Sequence, residues 1–190
     1  AGMDEEAAAT DDDEEMTDKY DHSAWPHAPG VAPCAPASAT DADGVTAGWL
    51  LGLGLLTRFY GLNWPRQVVF DEVHFGKFVG GYISGRYFFD IHPPLGKLLI
   101  ALAAWAAGYD GRQPFEHIGE AYLPGVQLFA LRAVPATFGA LLVPLTYLIV
   151  RRIGGSSPAA LLAGGIVLLD GAALVESRLL LTDSILFFFE

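Results

Sequence analysis

Asp71 and Glu72 stand side by side in FDEVHFGK (Phe70–Lys77), with His74 and Lys77 in the next two helical turns. Two adjacent carboxylates beside a greasy segment are costly unless they are used. Asp71 and His74 are three residues apart and share a face if the stretch is helical, whereas Glu72 points about 100° away. A carboxylate at an apolar surface loses hydration and gains affinity for a proton, which suits a general base. The same spacing also serves a plain structural purpose. Asp71 then caps a helix and Glu72 favours its positive end.

A second polar group lies in RYFFDIHPPLGK (Arg86–Lys97). Asp90 and His92, followed by two prolines, read as a helix start. Tyr87, Phe88 and Phe89 fit a bilayer interface. A binding role for His92 is the alternative. Further along, Arg132 falls early in an apolar span, and Glu176, Arg178 and Asp183 flank the last one. Charges in such places are expensive in lipid and mark functional sites unless they pair within the bundle. An arginine at a helix mouth can grip a phosphate through paired N–H groups. No His/Cys/Asp/Glu set has the spacing of a metal site, and no nucleotide-cofactor motif is present.

These residues need elements to hold them. Thr46–Leu62 is a first apolar segment, short for a bilayer that takes about 20 residues, with Arg58 near its end. Leu95–Tyr109 is 15 residues, a helix of about 22 Å. We read it as interfacial or re-entrant, with a spanning helix as the alternative. Leu128–Val150 is the clearest span and stops at Arg151 and Arg152. GGSSP then turns the chain into Ala159–Val175, and a last apolar run ends at Glu190. The chain therefore reads as part of a larger polytopic protein. If Leu95–Tyr109 does not span, the Phe70 loop lies opposite the Arg151–Arg152 pair. The positive-inside rule then makes the pair cytoplasmic and the loop luminal or external. Arg58, Arg66, Lys77, Arg86 and Lys97 weigh the other way, but the loop exceeds about 60 residues, where that rule weakens.

Of the 190 residues, 52% are apolar and 17% charged, and the net charge is -11. Residues 1–45 hold 12 of the 22 acidic residues and one of the 11 basic ones, so the rest is neutral. An acidic, Ala- and Pro-rich tail, expected to be disordered, precedes a hydrophobic body. The tail lacks the positive start and apolar core of a signal peptide. Its Cys34 is the sole cysteine, so no intrachain disulfide forms. No basic cluster points to nucleic acid.

Four separated blocks carry a resemblance. GLNWPRQVVFDEVHFGKF, RYFFDIHPPLGKLLIAL with GYDG after it, LRAVPATFGALLVPLTYLI and ESRLLLTDSILFFF occur in that order. They resemble the N-terminal part of the protein O-mannosyltransferases, the dolichyl-phosphate-mannose–protein mannosyltransferases of the GT-C class. The likeness runs from about residue 46 to 190.

The resemblance implies an all-α, polytopic membrane bundle with juxtamembrane helices in a long first luminal loop. It implies an enzyme of the endoplasmic reticulum membrane with a cytoplasmic N-terminus. The reaction implied is inverting transfer of mannose from dolichyl phosphate mannose to Ser or Thr hydroxyls of secretory polypeptides. The enzyme would work as a homo- or heterodimer with a family member. The family's catalytic Asp-Glu pair falls on Asp71 and Glu72, and its functional arginine on Arg132. Arg178 is a weaker match. On this reading Asp71 is the base, Glu72 orients the acceptor or an arginine, and Arg132 and Arg178 hold the departing phosphate. His74 and His92 are polar supports for substrate. The chain stops short of the later spans and of the luminal β-trefoil of eukaryotic members. Two alternatives stand beside this: another GT-C polyprenyl-phosphate-sugar transferase, and a truncated, non-catalytic membrane partner of a full-length enzyme.

Overall fold

The computed structural model describes residues 40–190. The acidic tail, apart from its last few residues, and Cys34 lie outside them. The described chain is helical: α1 (Asp41–Phe59), α2 (Glu72–Ser84), α3 (Pro94–Ala106), α4 (Leu128–Arg152), α5 (Ser157–Leu169), α6 (Gly171–Glu176) and α7 (Asp183–Phe189). Among the described residues there is no strand, and a single antiparallel bridge joins Gln67 to Ala121.

Helix α1 begins at Asp41, inside the stretch read as tail. A capping box explains this. The Thr40 hydroxyl accepts from the Asp43 N–H at 3.3 Å, and Asp43 Oδ2 accepts from the Thr40 N–H at 3.0 Å. Asp43 is also bound to the far end of α4. Its Oδ1 accepts from the Tyr147 hydroxyl at 2.7 Å and from Arg151 Nε at 2.8 Å. At the opposite end, Arg132 near the start of α4 donates to the carbonyl of Leu62, just past α1, at 3.3 Å. Helices α1 and α4 are therefore antiparallel. They pack tightly because Gly54 lets the α1 backbone approach Ala140: a Cβ there would stand 2.9 Å from the Ala140 carbonyl oxygen.

Helix α4 is 25 residues, about 37 Å, and Leu128–Arg152 is the one helix among the described residues long and apolar enough to cross a membrane. A tight turn at Ile153–Ser156 returns the chain as α5. The expected continuous run to Val175 breaks at Asp170, which ends α5 and caps α6 by accepting from the Ala173 N–H at 2.7 Å.

Everything between α1 and α4 gathers at one end of that pair. Helix α3 starts with Pro94 in its first turn, as HPP predicts. Its Ile100, Ala101 and Ala104 enter a core with Val68, Val79, Phe115, Leu128, Leu131 and Leu180. Its Leu98, Leu102 and Trp105 stay exposed. At 13 residues, about 20 Å, it is shorter than a hydrocarbon core.

Candidate active site

Phe70 has a positive φ of 51°, an uncommon conformation for a non-glycine residue, immediately before the two carboxylates. From this kink α2 starts so that Glu72 turns inward and Asp71 outward. Glu72 is fully buried. Its oxygens accept from Arg132 Nε (2.7 Å) and Nη2 (2.9 Å), the Val69 and Leu180 N–H groups (2.9 and 3.0 Å) and the Tyr122 hydroxyl (3.2 Å). Arg132 is buried too and donates further to the carbonyls of Pro65 (3.1 Å) and Gln67 (3.4 Å). Burial and the adjacent Glu72 carboxylate push the Tyr122 phenol well above its ordinary value, so it stays a neutral donor.

Asp71 takes the opposite position. It is the N-cap residue of α2 yet makes no side-chain capping hydrogen bond, and it is exposed. With His74, one turn on, it lines a cavity of about 640 Å³, a size usual for ligand sites. His92, Asp90, Glu176 and Asp183 line it as well, among Phe70, Phe75, Phe78 and Phe89. Among the described residues no Lys or Arg is on this wall. The structure thus brings Asp71, His74 and His92 together. Glu72, Arg132 and Arg178 stand off the cavity, with Arg178 Nη2 donating to the Tyr60 carbonyl at 2.7 Å.

Lys97 was not singled out in the sequence. It is 1% exposed, its ammonium pairs with Asp90 Oδ2, and it donates to the His92 carbonyl at 3.0 Å. Burial pushes this ammonium below the ordinary lysine value, while its two acceptors favour the charged form. A lysine inside LGKLLIAL is the signal that marks it, since a cation in an apolar helix needs a partner.

Comparison with known proteins defines the class to which this helical arrangement and its carboxylate-lined cavity belong. Residues 49–190 match the family described as dolichyl-phosphate-mannose-protein mannosyltransferase, and the chain belongs to that family. It is 47% identical over 137 residues to dolichyl-phosphate-mannose–protein mannosyltransferase 4 of Schizosaccharomyces pombe, covering 72% of this chain and 18% of the relative. It is 44% identical over 141 residues to protein O-mannosyl-transferase 1 of Mus musculus, covering 74% and 19%. Its fold is similar to the Saccharomyces cerevisiae protein O-mannosyltransferase Pmt1-Pmt2 complex bound to the sugar donor. That match has a TM-score of 0.76 and 37% identity over 80% of this chain and 21% of the solved one. The chain spans about a fifth of the length of the relatives it matches.

Proposed function

We propose that the protein these residues belong to transfers mannose from dolichyl phosphate mannose to Ser or Thr hydroxyls of secretory polypeptides, with inversion. It acts in the endoplasmic reticulum membrane, paired with a second family member. The carrying observation is the division of labour in the Asp-Glu pair. Glu72 is locked into the frame, and Asp71 stands free on a cavity wall beside His74.

In this reading Asp71 takes the proton of the acceptor hydroxyl as its oxygen attacks the anomeric carbon. The bond to dolichyl phosphate breaks on the opposite face, and the phosphate leaves with the electron pair, as in single-displacement inversion. Arg132, through Glu72, and Arg178, through the Tyr60 carbonyl, serve by fixing the segment that carries Asp71. His74 and His92 contact substrate. Helix α4 crosses the membrane with α1 packed antiparallel against it, and residues 60–127 gather on the luminal side. The antiparallel α1–α4 pair, with Arg151 at the far end, supports that topology. The lipid tail of the donor would remain in the bilayer beside the cavity.

The test is transfer from labelled dolichyl phosphate mannose to a Ser/Thr-rich peptide. The full reading frame is expressed in membranes lacking endogenous activity, as wild type and Asp71→Asn. Transfer by wild type that falls about 10²–10⁴-fold in the variant supports the base. Equal transfer by both removes Asp71 from that role. No transfer by folded wild type favours a non-catalytic partner.

A further inference from the structure

His92 is half exposed, with 51% of its side chain open, yet it is held from several sides. Asp90 Oδ1 is 2.8 Å from its Nδ1 and 3.3 Å from its backbone nitrogen. Lys97 takes its carbonyl at 3.0 Å, and its ring leans on Phe75 with centroids 5.5 Å apart. Lys97 is also ion-paired to the other oxygen of Asp90. An exposed histidine that only filled space would not require a buried lysine and a nearly buried aspartate behind it.

The order of these contacts fixes what the ring offers. An ionised carboxylate only accepts hydrogen bonds, so Nδ1 must carry the hydrogen. With Nδ1 committed to Asp90, Nε2 is the ring atom left for the cavity, in the way a carboxylate orients a ligating histidine. Nε2 has no partner among the described residues, and the ring lines the cavity. The other polar groups facing that cavity are Asp71 and His74 on α2, Glu176 at the end of α6, and Thr182 and Asp183 at the start of α7. A wall of acceptors set between aromatic rings suits a ligand that brings O–H donors.

We infer that Lys97 and Asp90 are positioning residues that hold His92 with Nε2 toward the cavity as the hydrogen-bonding partner of a substrate hydroxyl. That hydroxyl belongs either to the sugar or to the acceptor side chain. The inference rests on the proposed mannosyl transfer.

The test uses the full reading frame in the same membranes, with initial rates at varied donor and varied peptide. The amount of folded enzyme is measured in parallel. His92→Asn, which keeps a polar group at the Nδ1 position only, should lose about tenfold in kcat/KM, the loss of one neutral hydrogen bond. His92→Gln, whose amide reaches the Nε2 position, should keep most of it. Lys97→Met alone strands a buried carboxylate and is expected to reduce folded protein. The double variant Asp90→Leu with Lys97→Met removes that charge together with the acceptor of Nδ1–H, and should restore folding while the roughly tenfold transfer defect persists. A defect seen in donor KM assigns the hydroxyl to the sugar, and one in peptide KM assigns it to the acceptor. Wild-type rates from the folded double variant, or from His92→Asn, would overturn the inference while leaving mannosyl transfer standing. An inactive wild type would remove both.

Discussion

Arg132 and Glu72 face each other edge to edge, Nε to Oε1 at 2.7 Å and Nη2 to Oε2 at 2.9 Å, with neither side chain exposed. The pair joins α4 to the first turn of α2, and through Leu180 and Tyr122 it gathers two more parts of the chain. Breaking a buried pair from one side leaves a charge without a partner, at a cost of about 3–5 kcal/mol. Glu72→Ala and Arg132→Ala should each deplete folded enzyme, measured as thermal unfolding of the full protein in detergent. Glu72→Leu combined with Arg132→Met should recover part of that loss, since no charge is stranded. It should not recover all of it, because the Val69 and Leu180 N–H groups lose their acceptor.

Asp71, one residue earlier, should behave in the opposite way. Its carboxylate makes no capping bond and faces the cavity. Asp71→Asn is expected to move stability by no more than about 0.5 kcal/mol, the range of ordinary surface changes, while it lowers transfer about 10²–10⁴-fold. Unfolding curves and transfer rates on one preparation check this. A large fall in stability would mean that Asp71 belongs to the frame.

Asp43 gives a pH signature far from the site. Arg151, then the Thr40 backbone N–H, then the Tyr147 hydroxyl hold its carboxyl far below the usual aspartate range. A carboxyl depressed on folding contributes stability that is fully present above its unfolded value, about 3.9, and is lost as pH falls toward its folded value. The stability difference between wild type and Asp43→Asn should therefore be constant from neutrality down to about pH 5 and shrink only in stronger acid. A difference that vanished near pH 6 would point to another group.

The sequence carried the local part of this geometry and not the distant part. The opposite facing of Asp71 and Glu72 follows from 100° per residue, and the α3 start follows from HPP. The α1 start at Asp41 was written in Thr40 and Asp43, but the acidic composition around them drew the boundary at 45. Apart from the Val69 N–H, the partners of Glu72 lie 50, 60 and 108 residues away, at Tyr122, Arg132 and Leu180. No local period encodes such contacts, so a buried frame arginine and a cavity arginine look alike along the chain. Along the chain Lys97 reads only as one more loop cation, because its partner, Asp90, sits across two prolines in the place of a helix cap.

Gly76 offers a way to disturb the site without touching a polar group. It lies on α2, and a Cβ there would sit 2.3 Å from the ring of Phe115, which is fully buried and has a positive φ of 54°. Neither the ring nor its backbone has room to yield, because Phe115 also packs edge-on against Tyr122 with centroids 5.7 Å apart. Gly76→Ala must push α2 outward, at an overpacking cost of about 1–3 kcal/mol. Such a shift displaces Asp71 and His74 together, so transfer should fall along with stability. Phe115→Leu on the same chain removes ring atoms from the clash and should return part of both, despite the cavity it leaves near Tyr122. Unfolding and transfer measured on the single and double variants decide the matter: a Gly76→Ala enzyme of normal stability and rate would show that α2 is not held by this contact.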